Sequence, residues 1–202
     1  MASQVVLATR NRKKLDELHR ILEAEGLDVE ILSLDAFPDA PEVPETESTF
    51  AGNALLKARA IAQATGLPAV ADDSGLCVDA LNGMPGVLSA RWAGAHGDDD
   101  ANLDLVLAQI GDVPDQRRGA SFMCAAAVAL PDGTERVVEG SIEGRLLRER
   151  RGENGFGYDP IFVPLGQDIT TAQMSAEEKD AISHRGRALR SLAPVLADLL
   201  GS

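Results

Sequence analysis

Leu67-Pro68-Ala69-Val70-Ala71-Asp72-Asp73-Ser74-Gly75 decides how this chain reads. Residues 67–71 form a short apolar run punctuated by proline and followed by Ser74-Gly75, and such a run reads as a buried strand. Two carboxylates then stand at its C-terminal edge, where open α/β sheets bind their ligands. Neighbouring strand residues face opposite ways. One of the pair therefore reaches a given metal ion, while the other tunes it or holds the loop. Taken alone, Asp72-Asp73-Ser74-Gly75 suits a polar turn with an Asx-type hydrogen bond as well.

Working outward, residues 4–8 read as a strand and residues 11–25 as an amphipathic helix, with Leu15, Leu18 and Leu22 on one face and Gly26 as its stop. A second strand follows at 29–34. Residues 36–48, with Pro38, Pro41, Pro44 and several acids, form a site loop or lid. Phe50–Thr65 is Ala-rich and helical, capped by Ser48 or Thr49 and ended by Gly66-Leu67-Pro68. Beyond the acidic pair, residues 76–81 have strand character up to the turn-rich Asn82-Gly83-Met84-Pro85-Gly86.

Asp98-Asp99-Asp100 opens a helix with Leu103, Val106, Leu107 and Ile110 inward. Acids at a helix start act as caps and dipole partners, and the glycine and final glutamate of a calcium loop are missing. Residues 120–130 and 135–142 read as antiparallel strands joined by the hairpin signal Pro131-Asp132-Gly133-Thr134. A short strand at 161–163, a capping box at Ser175-x-x-Glu178 and a final amphipathic helix at 189–200 complete the pattern, with Pro194 marking a new first turn or a kink.

The chain has 202 residues, 45% hydrophobic and 25% charged, which suits one soluble domain, 1–202, of one or two lobes. Its formal net charge of -13 argues against tracking a nucleic-acid backbone, which needs an extended basic surface. Small anionic ligands held by local cations remain compatible with it. Cys77 and Cys124 lack metal-ligand spacing and suit a reducing compartment. The start Met1-Ala2-Ser3-Gln4 has no signal-peptide character, and no run approaches the roughly 18 apolar residues of a membrane span. The expectation is a cytoplasmic protein with no membrane partner.

Thr9-Arg10-Asn11-Arg12-Lys13-Lys14 lies between the first strand and first helix. Lysine and arginine are disfavoured at a helix N-terminus, so this cluster calls for an anion, and helix-start amides already favour phosphate. Asn11 can position the turn or a phosphate oxygen, and Lys14 is the cation expected to reach it. Asn53 and Lys57, four apart, share one face of the second helix. Gly155-Phe156-Gly157-Tyr158-Asp159-Pro160 sets two of the few aromatics among glycines, where a ring can stack a nucleobase. Lys179 and Ser183-His184-Arg185 add donors.

These motifs together resemble the inosine triphosphate pyrophosphatase family, whose bacterial members act on dITP and XTP. The resemblance spans nearly the whole chain, through Thr9-x-Asn11-x-x-Lys14, Glu45-Thr46, Thr49-Phe50-x-x-Asn53-Ala54, Lys57 and Ala71-Asp72-Asp73-Ser74-Gly75-Leu76. It continues through Pro85-Gly86, Ser89-Ala90-Arg91, the Gly155 to Pro160 segment and Ser183-His184-Arg185-Gly186. It implies an elongated, two-lobed α/β fold with a mixed central sheet flanked by helices, a substrate cleft between the lobes, a homodimer and Mg²⁺. The implied reaction converts non-standard purine nucleoside triphosphates (dITP, ITP, XTP) to monophosphate and pyrophosphate.

By the same resemblance, Asp73 is the general base and a metal carboxylate, with Asp72 and Glu45 supporting the metal. Thr9, Arg10, Asn11, Arg12, Lys13 and Lys14 hold phosphates, and Lys14 and Lys57 serve catalysis as cations. Asn53, Ser74, Phe156, Gly157, Tyr158, Asp159, Lys179, His184 and Arg185 complete the substrate contacts. Arg10 stands where relatives often have glycine, and Pro44 where some have a second acid. Two other readings are a pyrophosphatase of the same fold acting on pyrimidine or modified triphosphates, as the septum-inhibition relatives do, and a non-catalytic nucleotide sensor.

Overall fold

The structure is a computed structural model that describes residues 3–26 and 29–201. Among the described residues six strands form one sheet: β1 (Ser3–Leu7), β2 (Val29–Ser33), β3 (Ala69–Val78), β4 (Gly119–Ala129), β5 (Glu135–Leu146) and β6 (Phe162–Pro164), in the order β2-β1-β3-β4-β5-β6. Strand β1 pairs parallel with β2 and β3, and β5 pairs antiparallel with β6, so the sheet is mixed. The α-helices of the described residues are α1 (Arg12–Ala24), α2 (Phe50–Thr65), α3 (Asp99–Gln109), α4 (Ala176–Ile182) and α5 (His184–Leu200).

The chain forms two compact units, one of Met1–Asp73, Cys124–Gly140 and Arg185–Ser202, the other of Ser74–Met123 and Ser141–His184. In the first unit strand alternation sorts the core. Val5, Leu7, Val70, Cys124, Ala126 and Val128 meet Leu18, Ile21 and Leu22 of α1 and Leu189, Leu192 and Leu196 of α5. The intervening residues Val6, Ala69, Ala71, Ala125, Ala127 and Ala129 meet Ala54, Ala58, Ile61 and Ala62 of α2. Alanine on both sides of that second interface lets helix and sheet approach closely at interior packing density. In the second unit, Leu103, Val106 and Ile110 of α3 pack with Leu76, Val78, Phe122, Ile142, Leu146, Tyr158, Ile161 and Phe162.

Local chemistry fixes the helix ends. Thr49 caps α2 through the Gly52 amide, and Gly66 closes it at φ 69°, a left-handed stop open to glycine at no steric cost. Ser175 and Glu178 form the capping box of α4. Two expectations change. The acidic pair does not end a strand or form a turn, since β3 runs unbroken through Asp72, Asp73, Ser74 and Gly75 to Val78; buried partners on both faces pair with the carboxylates where a turn would have carried them to water. The last helix begins at His184 and continues through Pro194.

Candidate active site

Strand alternation sends the two adjacent carboxylates to different helices. Asp73 follows Ala69 and Ala71 toward α2, whereas Asp72 follows Val70 toward α1 and α5. On the α2 side, Asn53 Nδ2 donates to Asp73 Oδ2 at 2.9 Å, and Lys57 Nζ lies 3.6 Å from Asp73 Oδ1 and 3.0 Å from Glu45 Oε1. Asn53 Oδ1 accepts the Glu47 amide at 2.9 Å. That contact fixes which end of the carboxamide faces Asp73, so Asp73 must accept there. The helix thus hangs the acid loop and the strand carboxylate from one asparagine.

The electrostatics of this cluster favour a base. Burial pushes the Asp73 carboxyl above its ordinary range and the Glu45 charge adds to that, against the opposing pull of Lys57, Lys14 and the Asn53 hydrogen bond. Burial works against the Lys57 ammonium, but Asp73, Asp72 and Glu45 outweigh it and keep the lysine charged. A carboxylate whose proton affinity is raised, held beside a cation, is better suited to accept a proton than an ordinary aspartate.

Asp72 is built differently. Its Oδ2 receives Arg185 Nε at 3.1 Å and Lys14 Nζ at 3.2 Å, and Arg185 Nη1 also donates to Glu17. Burial raises the Asp72 carboxyl, yet Lys14, Arg185 and Lys57 together hold it far below the usual range. It is a locked anion rather than a titrating one. Cys124 lies buried beside it, and burial reinforced by the Asp72 charge pushes the thiol up.

The loop after β1 is ordered by its own side chains. Thr9 Oγ1 accepts the Asn11 amide at 3.2 Å, and Asn11 Oδ1 caps α1 by accepting the Lys14 amide at 3.3 Å. Arg12 and Lys13 occupy the first two helical positions with exposed side chains, where amides lack intrahelical acceptors. That geometry suits an anion. Arg10 is engaged elsewhere, its Nη2 donating to the Ala40 carbonyl at 3.0 Å and so tying this loop to the acid loop.

In the second unit the aromatic segment is held at each residue. Asp159 Oδ2 accepts the Phe156 amide at 2.9 Å and Lys179 Nζ at 2.7 Å, while Oδ1 accepts the Thr171 hydroxyl at 2.8 Å. Lys179 Nζ sits 4.9 Å from the Phe156 ring centroid. The Gly157 amide donates to Asp99 Oδ2 at 2.9 Å, and the Tyr158 hydroxyl donates to the Ser89 carbonyl at 2.8 Å. Burial and the Asp99 charge raise the Tyr158 hydroxyl, keeping it a donor. Buried His184 stacks on Phe122 with centroids 4.8 Å apart and planes at 12°, and Ser74 is half-buried.

The structure therefore brings Glu45, Asn53, Lys57 and Asp73 together, sets Lys14, Asp72 and Arg185 in an adjoining ion network, and gathers Phe156, Gly157, Tyr158, Asp159 and Lys179 in the other unit. Among the described residues, no three His, Cys, Asp or Glu side chains form a metal-ligand cluster. Glu45 and Asp73, which both meet Lys57 Nζ, are the carboxylates that could hold a hard divalent ion, since Mg²⁺ is bound through one or two carboxylates with water and phosphate oxygens. Glu17, Phe122 and Thr171 escaped the sequence reading, Ser89 entered it only within a motif, and Asp99 only as a helix-start acid. Only Glu17 carried a signal, a charge on the same helical stripe as Lys14 and Ile21.

The chain is similar to several known proteins. A dITP/XTP pyrophosphatase of Streptomyces coelicolor is 62% identical over 199 residues, covering 98% of this chain and 100% of the relative. One from Nocardia farcinica is 61% identical, with 98% and 96% covered. Among solved structures, a nucleoside-triphosphatase / dITP/XTP pyrophosphatase from Mycobacterium abscessus is 58% identical with a TM-score of 0.77, covering 96% of this chain and 99% of that one. A HAM1 protein from Coxiella burnetii is 42% identical with a TM-score of 0.87, covering 97% and 99%. The Ham1 family model matches residues 5–195, and the chain belongs to that family.

Proposed function

We propose that this chain hydrolyses dITP, ITP and XTP to the nucleoside monophosphate and pyrophosphate. The observation that carries the reading is Asp73, a buried carboxylate of raised proton affinity positioned by Asn53 and Lys57, in a chain 62% identical to a dITP/XTP pyrophosphatase. In this mechanism Asp73 takes a proton from water as the water oxygen attacks the α-phosphorus. The bond to the α–β bridging oxygen breaks, and that oxygen leaves with pyrophosphate. Lys57 and Lys14 stabilise the charge gathering on the leaving group, which preorganised cations do at no reorganisation cost. Arg12, Lys13 and the first amides of α1 hold the outer phosphates.

Mg²⁺ on Asp73 and Glu45 would supply charge neutralisation to the phosphates. Phe156 offers a face for the purine, and Lys179, held by Asp159, supplies a donor suited to a 6-oxo group. An adenine amino group there would set donor against donor. A homodimer in the cytoplasm completes the proposal, consistent with the fact that no helix among the described residues is long and apolar enough to cross a membrane.

Pyrophosphate release from dITP, XTP, dGTP, dATP and dUTP, with and without Mg²⁺, tests this reading. Metal-dependent release favouring dITP and XTP is expected. Equal rates for all five, or binding without release, would refute it in favour of a broader pyrophosphatase or a sensor.

A further inference from the structure

We infer that Asp99 is a positioning residue for the proposed base-stacking segment: its carboxylate holds the Gly157 amide and thereby sets the Phe156 ring. The inference rests on the proposed role of Phe156 as the purine's stacking face. Three consecutive acids open α3, yet they do three different jobs. Asp98 caps the helix by accepting the Ala101 amide at 3.1 Å, and Asp100 pairs with Arg150. Asp99, half-buried, accepts the Gly157 amide across 58 residues of sequence.

Around that contact the segment has few free degrees of motion. Gly155 and Gly157 both take left-handed backbone, at φ 73° and 60°. Such a turn has no regular partner for its amides, so each needs an acceptor from outside the ladder. Phe156 receives one from Asp159 and Gly157 receives one from Asp99. The peptide between the two residues is thus clamped from both sides, and the Phe156 side chain leaves the backbone between the clamps. Asp159 also holds Lys179 over the ring, and losing Asp99 removes one of the two side-chain acceptors that clamp the backbone on either side of it. A ring that must be ordered by the nucleotide weakens binding without altering the chemistry at phosphorus.

The test compares Asp99→Ala, Asp99→Asn and Asp98→Ala in the full chain with dITP. Asp99→Ala should raise KM about tenfold, one hydrogen bond to a charged acceptor, with kcat within about twofold. Asp99→Asn keeps an acceptor oxygen and should recover KM to within about threefold of the parent. Asp98→Ala, which removes only a helix cap, should lower Tm and leave KM alone. Unchanged KM in Asp99→Ala overturns the inference, as does a KM rise in Asp98→Ala equal to that in Asp99→Ala, which would show helix fraying instead. Phe156→Ala separates the premise from the inference. If it leaves KM unchanged the stacking role fails; if it raises KM and Asp99→Ala adds nothing further to it, Asp99 acts through the ring.

Discussion

Replacing Asp72 by asparagine removes one charge from a buried network of two acids and two bases while keeping the side-chain volume. The Arg185 and Lys14 contacts lie at 3.1 and 3.2 Å. At an effective dielectric near 20 each such pair amounts to about 5 kcal/mol. Lys14 retains 18% side-chain exposure, so its share is reduced to about half by solvent screening. Neutralising the acid returns a desolvation cost of about 3 kcal/mol, which leaves a loss of about 4–5 kcal/mol. For a chain of this length that corresponds to a Tm lowered by about 8–20 °C.

The pH dependence carries a sign. Because the folded carboxyl titrates below its unfolded value, its stabilisation is complete above about pH 4 and is lost as pH falls through the folded value. Calorimetry of the parent and Asp72→Asn at pH 8, 7, 6, 5 and 4 should therefore show a constant Tm gap that narrows only at the acid end. A gap under about 2 °C at neutral pH, or one that closes between pH 7 and 5, would refute the reasoning.

Asp73→Asn should reduce turnover of dITP by about 10²–10⁴-fold, the usual contribution of a general base, with nucleotide affinity by calorimetry little changed; near-parental turnover sinks the assignment. Since Asp73's folded value is raised, its ionised form weakens stability as pH rises through that value, so this variant should not show the neutral-pH Tm loss of Asp72→Asn. In the metal-free parent the Asp73 carboxyl, followed by NMR, should titrate above the ordinary carboxylate range, and Lys57→Met should move that titration to higher pH because Lys57 opposes the shift; an unmoved titration would refute the assigned cause. Arg118 is fully buried and donates to the carbonyls of Ile110, Leu146 and Leu147. Arg118→Ala should cost about 3–5 kcal/mol from those unsatisfied acceptors, read as a Tm drop with dITP KM unchanged in the fraction that folds.

What was legible in the sequence was what local chemistry enforces. Thr49 and Gly66 punctuate α2 strongly enough to give its bounds, and Ser175 with Glu178 opens α4 as the pattern requires. Asp72 and Asp73 misled because an isolated acidic pair beside Ser-Gly has the local chemistry of a turn. Its continuation as strand depends on Arg185, more than a hundred positions away, and on Asn53 in another helix. The separation of roles between the two acids followed from alternation alone, but the partners did not. Asp99 was hidden among equals: Asp98, Asp99 and Asp100 carry the same chemistry at a helix start, and only the tertiary path of residues 155–159 selects the middle one.

The sulfur chemistry of the chain bears on the circumstances in which it works. Hypoxanthine and xanthine nucleotides arise when adenine and guanine lose their amino groups to nitrosating or hydrolytic attack, so their clearance is wanted under chemical stress. Thiols react as thiolates. Cys124 is sealed in the core beside a locked anion, and Cys77, half-buried near Asp79, is likewise pushed up by burial and that charge. Burial, reinforced by the same Asp72 that braces the fold, thus disfavours the reactive thiolate at the neighbouring sulfur, a property suited to an enzyme whose substrates arise from reactive nitrogen and oxygen species.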